Sequence, residues 1–237
     1  MYTKITIYMG DIMSNISTST NLELNKSRFR DPFSGLSHLV SALIGFVILC
    51  FFVVQASIRG DIWHIVSFAI FGITMVLMFG SSALYHLYQG DDAKILKLKR
   101  IDHMAIFAMI AGTYTPMCLV PLRDSIGWAL FASVWGIAAS GILLKIFWIG
   151  APRWLSTLIY LAMGWACVFG LSTMKATMPE VSFDWLVYGG IAYTIGAVVY
   201  ATKWPDPWPN TFGFHEVWHL FVMAGAFSHA VSIYYLL

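Results

Sequence analysis

Long apolar runs follow one another along most of the chain, separated by short polar connections. A helix rises about 1.5 Å per residue, so about 20 apolar residues cross a hydrocarbon core of about 30 Å. We therefore predict an all-α fold, an integral membrane bundle of seven transmembrane helices within a domain of residues 31–237. The predicted spans are about 38–57, 63–86, 103–121, 126–148, 154–173, 184–202 and 213–236.

Residues 1–30 have a different composition, rich in Ser, Thr and Asn (SNISTSTNLELNKS). They contain no apolar run or cleavage site that resembles a signal peptide. We predict that residues 1–30 form a disordered cytoplasmic tail. Met13 opens the more polar part of this tail and is an alternative translation start to Met1.

Composition supports the membrane class and narrows the partners. Hydrophobic residues make up 59% of the chain and charged residues 11%, against about 45–50% and about 25% in soluble domains. The expected surroundings are therefore a lipid bilayer, and a net charge of +2 gives no indication of nucleic acid. Cys50, Cys118 and Cys167 lie in apolar segments without paired spacing, which is typical of core thiols and leaves the redox compartment open.

The distribution of Lys and Arg orients the predicted bundle. The tail, the loops that follow even-numbered spans and the end of the fourth span carry eleven of the fourteen positive residues, Lys145 among them. The opposite side carries only three, namely Arg59, Arg123 and Lys175. Because positive residues concentrate on the cytoplasmic side, we predict a cytoplasmic N-terminus and an outside C-terminus. The expected location is the cell membrane, plasma or inner, with multiple passes.

Four ionisable residues are predicted to meet at the cytoplasmic level. The second span ends in GSSALYHLYQG with His86, the third opens in KRIDHMAIF with Asp102, and the last opens in FHEVWH with His215 and His219. The two histidines of the last span are four residues apart and project from one helix face. All four residues fall within about two helical turns of one membrane level.

This set of side chains suits a metal. Three neutral imidazoles are typical zinc ligands, and three protein ligands with one open position are typical of a catalytic zinc site, where water becomes acidic. Asp102 is then either a fourth ligand or the group that hydrogen-bonds and deprotonates the water. Ser82 lies one turn before His86 and could orient that water or polarise a substrate carbonyl. In the simpler interpretation, the histidines are interfacial polar residues and Asp102 forms an ordinary ion pair with Arg100.

The remaining ionisable residues give weaker indications. His38 and His103 lie at the cytoplasmic level without a partner at helical spacing, and we favour no site role for them. His64 is expected at the outer interface. His229 lies about 15 Å deeper than His219, too far to share an ion, and is expected to hydrogen-bond within the bundle. Glu216 is either a general base of the HExxH type or a charge directed to the headgroups, and we favour the headgroups.

These motifs resemble the haemolysin III group of the progestin and adipoQ receptor family. The resemblance runs from DPFSGLSHLVSALIG through SSALYHLY and RIDHMAIFAMIAGTYTP to FHEVWHLFVMAGAFSH. The wider superfamily, which includes alkaline ceramidases, is marked by Ser-x3-His, an Asp and His-x3-His, which Ser82, His86, Asp102, His215 and His219 match. The resemblance implies zinc on the three histidines, with Asp102 holding the water at the metal. A Glu at the second position of HExxH is usual in bacterial-type members, whereas the eukaryotic receptors tolerate other residues there, so the resemblance does not imply a catalytic Glu216.

Several functions remain open at this point. The first is a zinc-dependent hydrolase of a lipid amide or ester, with a membrane lipid as substrate. The second is a non-enzymatic receptor-like or membrane-homeostasis protein with a structural zinc, which a sealed site would favour. Cytolysis, which the family name implies, ranks lower because seven strongly apolar spans offer no evident transition from a soluble form to a pore. An intramembrane metalloprotease also ranks lower, because the sequence shows no further motif for a third ligand. The sequence leaves the lipid and the oligomeric state open.

Overall fold

The computed structural model describes residues 29–209 and 211–237, and those residues are helical apart from short connections. Most of the tail predicted to be disordered, residues 1–28, lies outside the described residues, as does Met13. The helices are α1 Pro32–Arg59, α2 Ile62–Leu87, α3 Asp92–Leu119, α4 Gly127–Phe147, α5 Arg153–Trp165, a 3₁₀ segment Ala166–Gly170, α6 Leu171–Thr177, α7 Glu180–Thr202 and α8 Phe214–Tyr234.

Among the described helices, six segments are long and apolar enough to cross a membrane. One of them, Trp154–Thr177, combines α5, the 3₁₀ segment and α6. Large apolar side chains cover the outer surface of the bundle, for example Phe169 (81% exposed) and Ile58 (75% exposed). Such a surface is suited to lipid and unsuited to water, so the protein is a multi-pass membrane protein.

The third predicted span lies within α3, which is long enough to cross a membrane but is not among the six apolar segments. Its polar residues explain the lower hydropathy, since Asp102, Thr113 and Thr115 are buried among other helices instead of facing lipid. Helix α3 contacts α2 and α4 and touches α8, so it lies inside the bundle. The count of seven spans and the orientation of the termini therefore stay predictions.

The helix ends also differ from the predicted spans. Helix α1 begins at Pro32 instead of about residue 38, and α3 begins at Asp92 instead of about residue 103. Both starts follow local chemistry that hydropathy does not report. Pro32 occupies the first turn, where its missing N–H costs nothing, and the Asp91 carboxylate accepts a hydrogen bond from the Lys94 N–H at 2.9 Å.

The fifth predicted span is interrupted by a 3₁₀ segment because a side chain from α3 enters its backbone. The Tyr114 hydroxyl lies 2.9 Å from the carbonyl oxygen of Met163 and 2.6 Å from that of Gly164. It also accepts a hydrogen bond from the Cys167 N–H at 2.8 Å. The hydroxyl thus replaces backbone partners that a continuous α-helix would supply.

Close helix contacts bring the functional residues of α2, α3 and α8 together. At Gly112 of α3, any side chain would collide with Thr74 of α2, so glycine permits the approach of these two helices. At the entrance to α1, the Asp31 N–H donates to the His86 carbonyl at 2.9 Å and fixes the start of α1 beside the end of α2. One end of the bundle therefore carries the last turn of α2 and the first turns of α1 and α8.

Candidate metal centre and adjoining cavity

His86, His215 and His219 lie together and form a group that could hold a metal ion. One ligand atom from each residue falls within 4.8 Å of those from the other two. The Nε2 atoms of His86 and His215 are 3.5 Å apart. His86 and His219 are buried, with 4% and 1% exposure, and His215 is half-buried. The sequence prediction that these three histidines meet is confirmed.

Asp31 fixes the orientation of the His86 ring. The Nδ1 atom of His86 lies 3.0 Å from Oδ2 of Asp31. The hydrogen bond from His86 lowers the pKa of the Asp31 carboxyl below its ordinary value, so Asp31 is an acceptor at neutral pH. Nδ1 must therefore carry the proton, which leaves the Nε2 lone pair of His86 directed toward His215.

The three histidines fit zinc. Both ring nitrogens of His219 are buried without a hydrogen-bond partner, a state that is costly unless another ligand satisfies them. Zinc–nitrogen bonds of about 2.0–2.1 Å in tetrahedral geometry place two ligand atoms about 3.3–3.4 Å apart. The separation of 3.5 Å between His86 and His215 is close to that value. His86, His215 and His219 would hold the ion.

Asp102 and Ser82 lie beside this group. Asp102 is 7% exposed and Ser82 is 3% exposed. The side chains of Ser82 and Asp102 are near enough to interact, and Asp102 interacts electrostatically with His86. No ion pair within the described part of the chain joins Asp102 to Arg100, whose Nε is buried without a hydrogen-bond partner. The alternative of an ordinary Asp102–Arg100 pair is therefore wrong.

A cavity of about 870 Å³ adjoins the cluster. Its polar end includes His86, Asp102 and His215, and its lining extends to Met117 and His229. Trp165, Val168 and Ile191 line this cavity and are about half exposed, at 54%, 50% and 52%. The exposed part of the cavity lining therefore includes residues of the segment Trp154–Thr177 and of α7.

Comparison with known proteins identifies the family of this chain. The family model described as "Haemolysin-III related" matches residues 26–230, which is most of the sequence. The chain belongs to the haemolysin III family. It is 37% identical over 193 residues to the "Hemolysin-3 homolog" of Bacillus subtilis (strain 168), covering 81% of this chain and 87% of that protein.

More relatives extend the haemolysin III comparison. "Hemolysin-3" of Bacillus cereus is 34% identical over 194 residues, covering 81% of this chain and 85% of that protein. The "Adiponectin receptor protein" of Drosophila melanogaster is 23% identical over 210 residues, covering 81% of this chain and 47% of that protein. The resemblance to the progestin and adipoQ receptor family is confirmed.

Glu216 of this haemolysin III chain binds groups of the protein, whereas we favoured a position at the lipid headgroups. Its Oε2 accepts a hydrogen bond from the Gly213 N–H at 2.8 Å, which caps α8. Its Oε1 accepts one from the Ser34 hydroxyl at 3.0 Å, which ties α8 to α1. The prediction that Glu216 points to the headgroups is therefore wrong, because both carboxylate oxygens bind groups of the protein.

His64, His103 and His229 of this haemolysin III chain all contact other residues of the bundle or its cavity. His64 is 5% exposed and lies 2.5 Å from Asp61 and 3.2 Å from the Leu236 carbonyl. Its position at the outer interface stays a prediction. The Nε2 atom of His229 lies 3.2 Å from the Leu186 carbonyl, which confirms a hydrogen bond within the bundle. His103 lines the cavity.

Sequence reasoning missed Asp31, and it placed His38 at the correct level but favoured no site role for it. The His38 ring stacks on His219 with centroids 3.9 Å apart and an angle of 20°. His38 is 2% exposed, and neither of its ring nitrogens has a hydrogen-bond partner. The contact of His38 with His219 joins α1 to α8. Asp31 binds His86, which lies 55 positions later in the chain. Residue spacing could not reveal either contact.

Proposed function

We propose that this protein is a zinc-dependent hydrolase of a lipid amide or ester that acts in membrane lipid homeostasis. The observation that supports the proposal is that one cavity is lined by His86, Asp102 and His215 and also by exposed residues of the apolar segment Trp154–Thr177 and of α7. We infer that the cavity opens toward lipid between these two elements. A substrate tail could therefore reach the ionisable groups without leaving the membrane. A sealed cluster would have favoured a structural metal.

The proposed roles follow from the positions of the side chains. Zinc on the three histidines would supply Lewis acidity and lower the pKa of water. Asp102 would accept the proton of the attacking water and return it to the leaving group. Ser82 would hold the Asp102 carboxyl in orientation through its hydroxyl. Asp31 would keep His86 in the tautomer that leaves Nε2 available.

The substrate class follows from the cavity lining. Beyond the polar end, Met109, Ile110 and Met117 line the cavity. Its volume of about 870 Å³ lies within the range of about 300–1,000 Å³ that is usual for small-molecule sites. An acyl chain would occupy this apolar part, with its carbonyl at the histidines. We further propose that seven helices cross the membrane, with the N-terminus in the cytoplasm.

A non-enzymatic, receptor-like or membrane-homeostasis role is the second candidate. It is favoured by the number of helices that the cluster joins: His86 is on α2, His215 and His219 are on α8, and Asp31 precedes α1. A metal at this point would tie the ends of these helices together. Such a structural zinc would stabilise the bundle without any turnover.

Purified protein assayed for metal and for turnover separates the two candidates. We expect one zinc per chain by elemental analysis and release of fatty acid from at least one of a panel of ceramides, N-acyl lipids and phospholipids. His219→Ala should lose both zinc and turnover, and His229→Ala should keep zinc. Zinc binding without release from any lipid, in detergent and in bilayers, would favour the structural role and overturn the hydrolase.

A further inference from the structure

Lys145 is a buried lysine that the proposed chemistry does not use. It lies near the end of α4 and is only 2% exposed. Its Nζ donates to the Ser156 hydroxyl of α5 at 2.5 Å. Burial of an ammonium group is costly, and a neutral hydroxyl compensates only part of that cost.

A second lysine adds positive charge near Lys145. Lys99 and His103 lie one turn apart on α3 and both interact electrostatically with Lys145, but only Lys99 carries a permanent charge. Lys99, His103, Lys145 and Ser156 all line the large cavity. We call these four residues the basic corner. No ion pair among the described residues involves Lys99 or Lys145.

The acidic residues of the cavity lining are engaged elsewhere. Asp31 binds His86 and Arg30, and Glu216 binds Gly213 and Ser34. Asp102 interacts with Ser82 and His86, and it forms no ion pair with Lys99 among the described residues. The basic corner therefore has positive charge in excess of its partners within the cavity.

The apolar remainder of the cavity makes a free inorganic anion a poor occupant. Ile106 and Ile149 line the cavity beside the basic corner, and Leu161 continues the apolar lining along α5. Lysine binds phosphate as a point charge, and basic pockets between transmembrane helices bind anionic lipid headgroups. A ligand with a phosphate group and a single acyl chain would match both parts of the cavity.

We infer that the basic corner binds the anionic phosphate group of an acyl lipid, with the Lys145 ammonium as its main contact and Ser156 and Lys99 as further contacts. The inference rests on the proposed function only in naming this lipid as the hydrolase substrate. Binding itself requires no turnover. It therefore predicts a preference for anionic over zwitterionic lipids of equal chain length.

Ether-linked lipids test the inference because they contain no amide or carboxylic ester bond for the proposed hydrolase to cleave. The zinc-loaded protein in neutral detergent is titrated with 1-alkyl-glycero-phosphate and, separately, with 1-alkyl-glycero-phosphocholine of the same chain length, and dissociation constants are measured. We expect the wild type to prefer the phosphate by about tenfold or more. Lys145→Met should remove most of that preference. Lys97→Met is the matched control, because Lys97 is exposed on α3 and does not line the cavity.

Failure of this inference can be distinguished from failure of the proposed hydrolase activity. Equal affinities in the wild type, or an unchanged preference in Lys145→Met, would overturn the inference whether or not any lipid is cleaved. Tight binding of inorganic phosphate alone would show a site for a free anion instead of a lipid. Should Lys145→Met fail to fold, Lys99→Met is measured in its place, and an unchanged preference there would also overturn it.

The ligand-free melting temperature separates ligand binding from a structural role. Burying an ammonium group without a counter-ion costs free energy, and an apolar side chain of similar volume avoids that cost. Lys145→Met without lipid should therefore melt at or above the wild-type temperature. A lower melting temperature with unchanged lipid preference would assign Lys145 to the fold and overturn the inference.

Discussion

Asp31 makes a contact that decides how His86 can serve a metal. Its carboxylate accepts the Nδ1–H of His86 at 3.0 Å and interacts with Arg30 at the same distance. Removing the carboxylate frees the His86 ring to rotate and to exchange tautomers. The effect belongs to metal affinity more than to the fold, because Asp31 is on the surface side of His86 and its side chain is 41% exposed.

Asp31→Ala should weaken zinc binding by about 10–100-fold, the usual effect of losing a group that orients a ligand histidine. Competition with a chelator of known affinity would measure this change. Asp91→Ala is the control, because Asp91 also precedes a helix but its carboxylate binds the Lys94 N–H in the first turn of α3. Equal zinc affinity in Asp31→Ala and wild type would show that Asp31 does not orient His86.

At the residue scale, the sequence could predict the histidine cluster but not its supports. His86, Asp102, His215 and His219 stand at the ends of apolar runs, so their depth follows from counting residues. His38 stacks on His219, and Asp31 binds His86, through packing between different helices. Nothing in local spacing specifies such contacts. The sequence indicates Lys145 only as a positive charge at the end of the fourth span, whereas the structure buries Lys145 against Ser156.

Helix α8 shows how one element determines the geometry of the cluster. Glu216 stands between His215 and His219 in sequence, and its carboxylate binds Gly213 and Ser34. The HExxH pattern therefore serves two purposes here. Its histidines face the cluster, and its glutamate caps the helix and fixes it to α1.

Glu216→Gln should retain zinc and turnover, because a glutamine can also accept the capping hydrogen bond. Glu216→Ala should lower the melting temperature, with a loss of about 0.5–2 kcal/mol from the missing cap. Glu180→Ala is the comparison, since Glu180 lies in the first turn of α7 and is exposed. Loss of turnover with full zinc in Glu216→Gln would instead identify Glu216 as the general base.

The existence of the helices was predictable, and their irregularities were not. Hydropathy locates α2, α4, α7 and α8 within a few residues, and α1 apart from its first turn, because their outer faces meet lipid. Helix α3 departs from the pattern because its polar residues face other helices. The break after Trp165 depends on the Tyr114 hydroxyl, which lies about 50 positions earlier in the chain and leaves no periodic signal in the sequence.

At the scale of the whole molecule, the sideways opening of the cavity is the feature that links the cluster to the membrane. Gly190 of α7 lines the cavity, is exposed, and has open space where a side chain would project. A large residue at this position would occupy the opening without displacing neighbouring backbone.

Gly190→Phe should reduce hydrolysis of long-chain lipids and leave zinc content unchanged, because it narrows the entrance without touching a ligand. Gly136→Phe is the matched control: Gly136 of α4 is exposed with equally open space but does not line the cavity. Fatty-acid release from each variant is the measurement. Equal reductions in both variants would point to a general effect of a bulky residue in the helices.

The membrane orientation can be tested independently of the chemistry. Eleven of the fourteen Lys and Arg residues lie on the predicted cytoplasmic side, so a C-terminal alkaline phosphatase fusion should be active and a C-terminal GFP fusion dark. The opposite pattern would place the histidine cluster at the outer surface. The excess of positive charge at that end would then have no explanation in the positive-inside rule.

The central claim is that Asp102 performs proton transfer beside a metal held by His86, His215 and His219. The most direct measurement compares wild type and Asp102→Asn for zinc content and for fatty-acid release from a lipid that the wild type cleaves. The substitution keeps the shape of the side chain and removes the base. We predict that zinc stays bound and that turnover falls by about 10²–10⁴-fold. Full turnover with full zinc in Asp102→Asn would contradict the account.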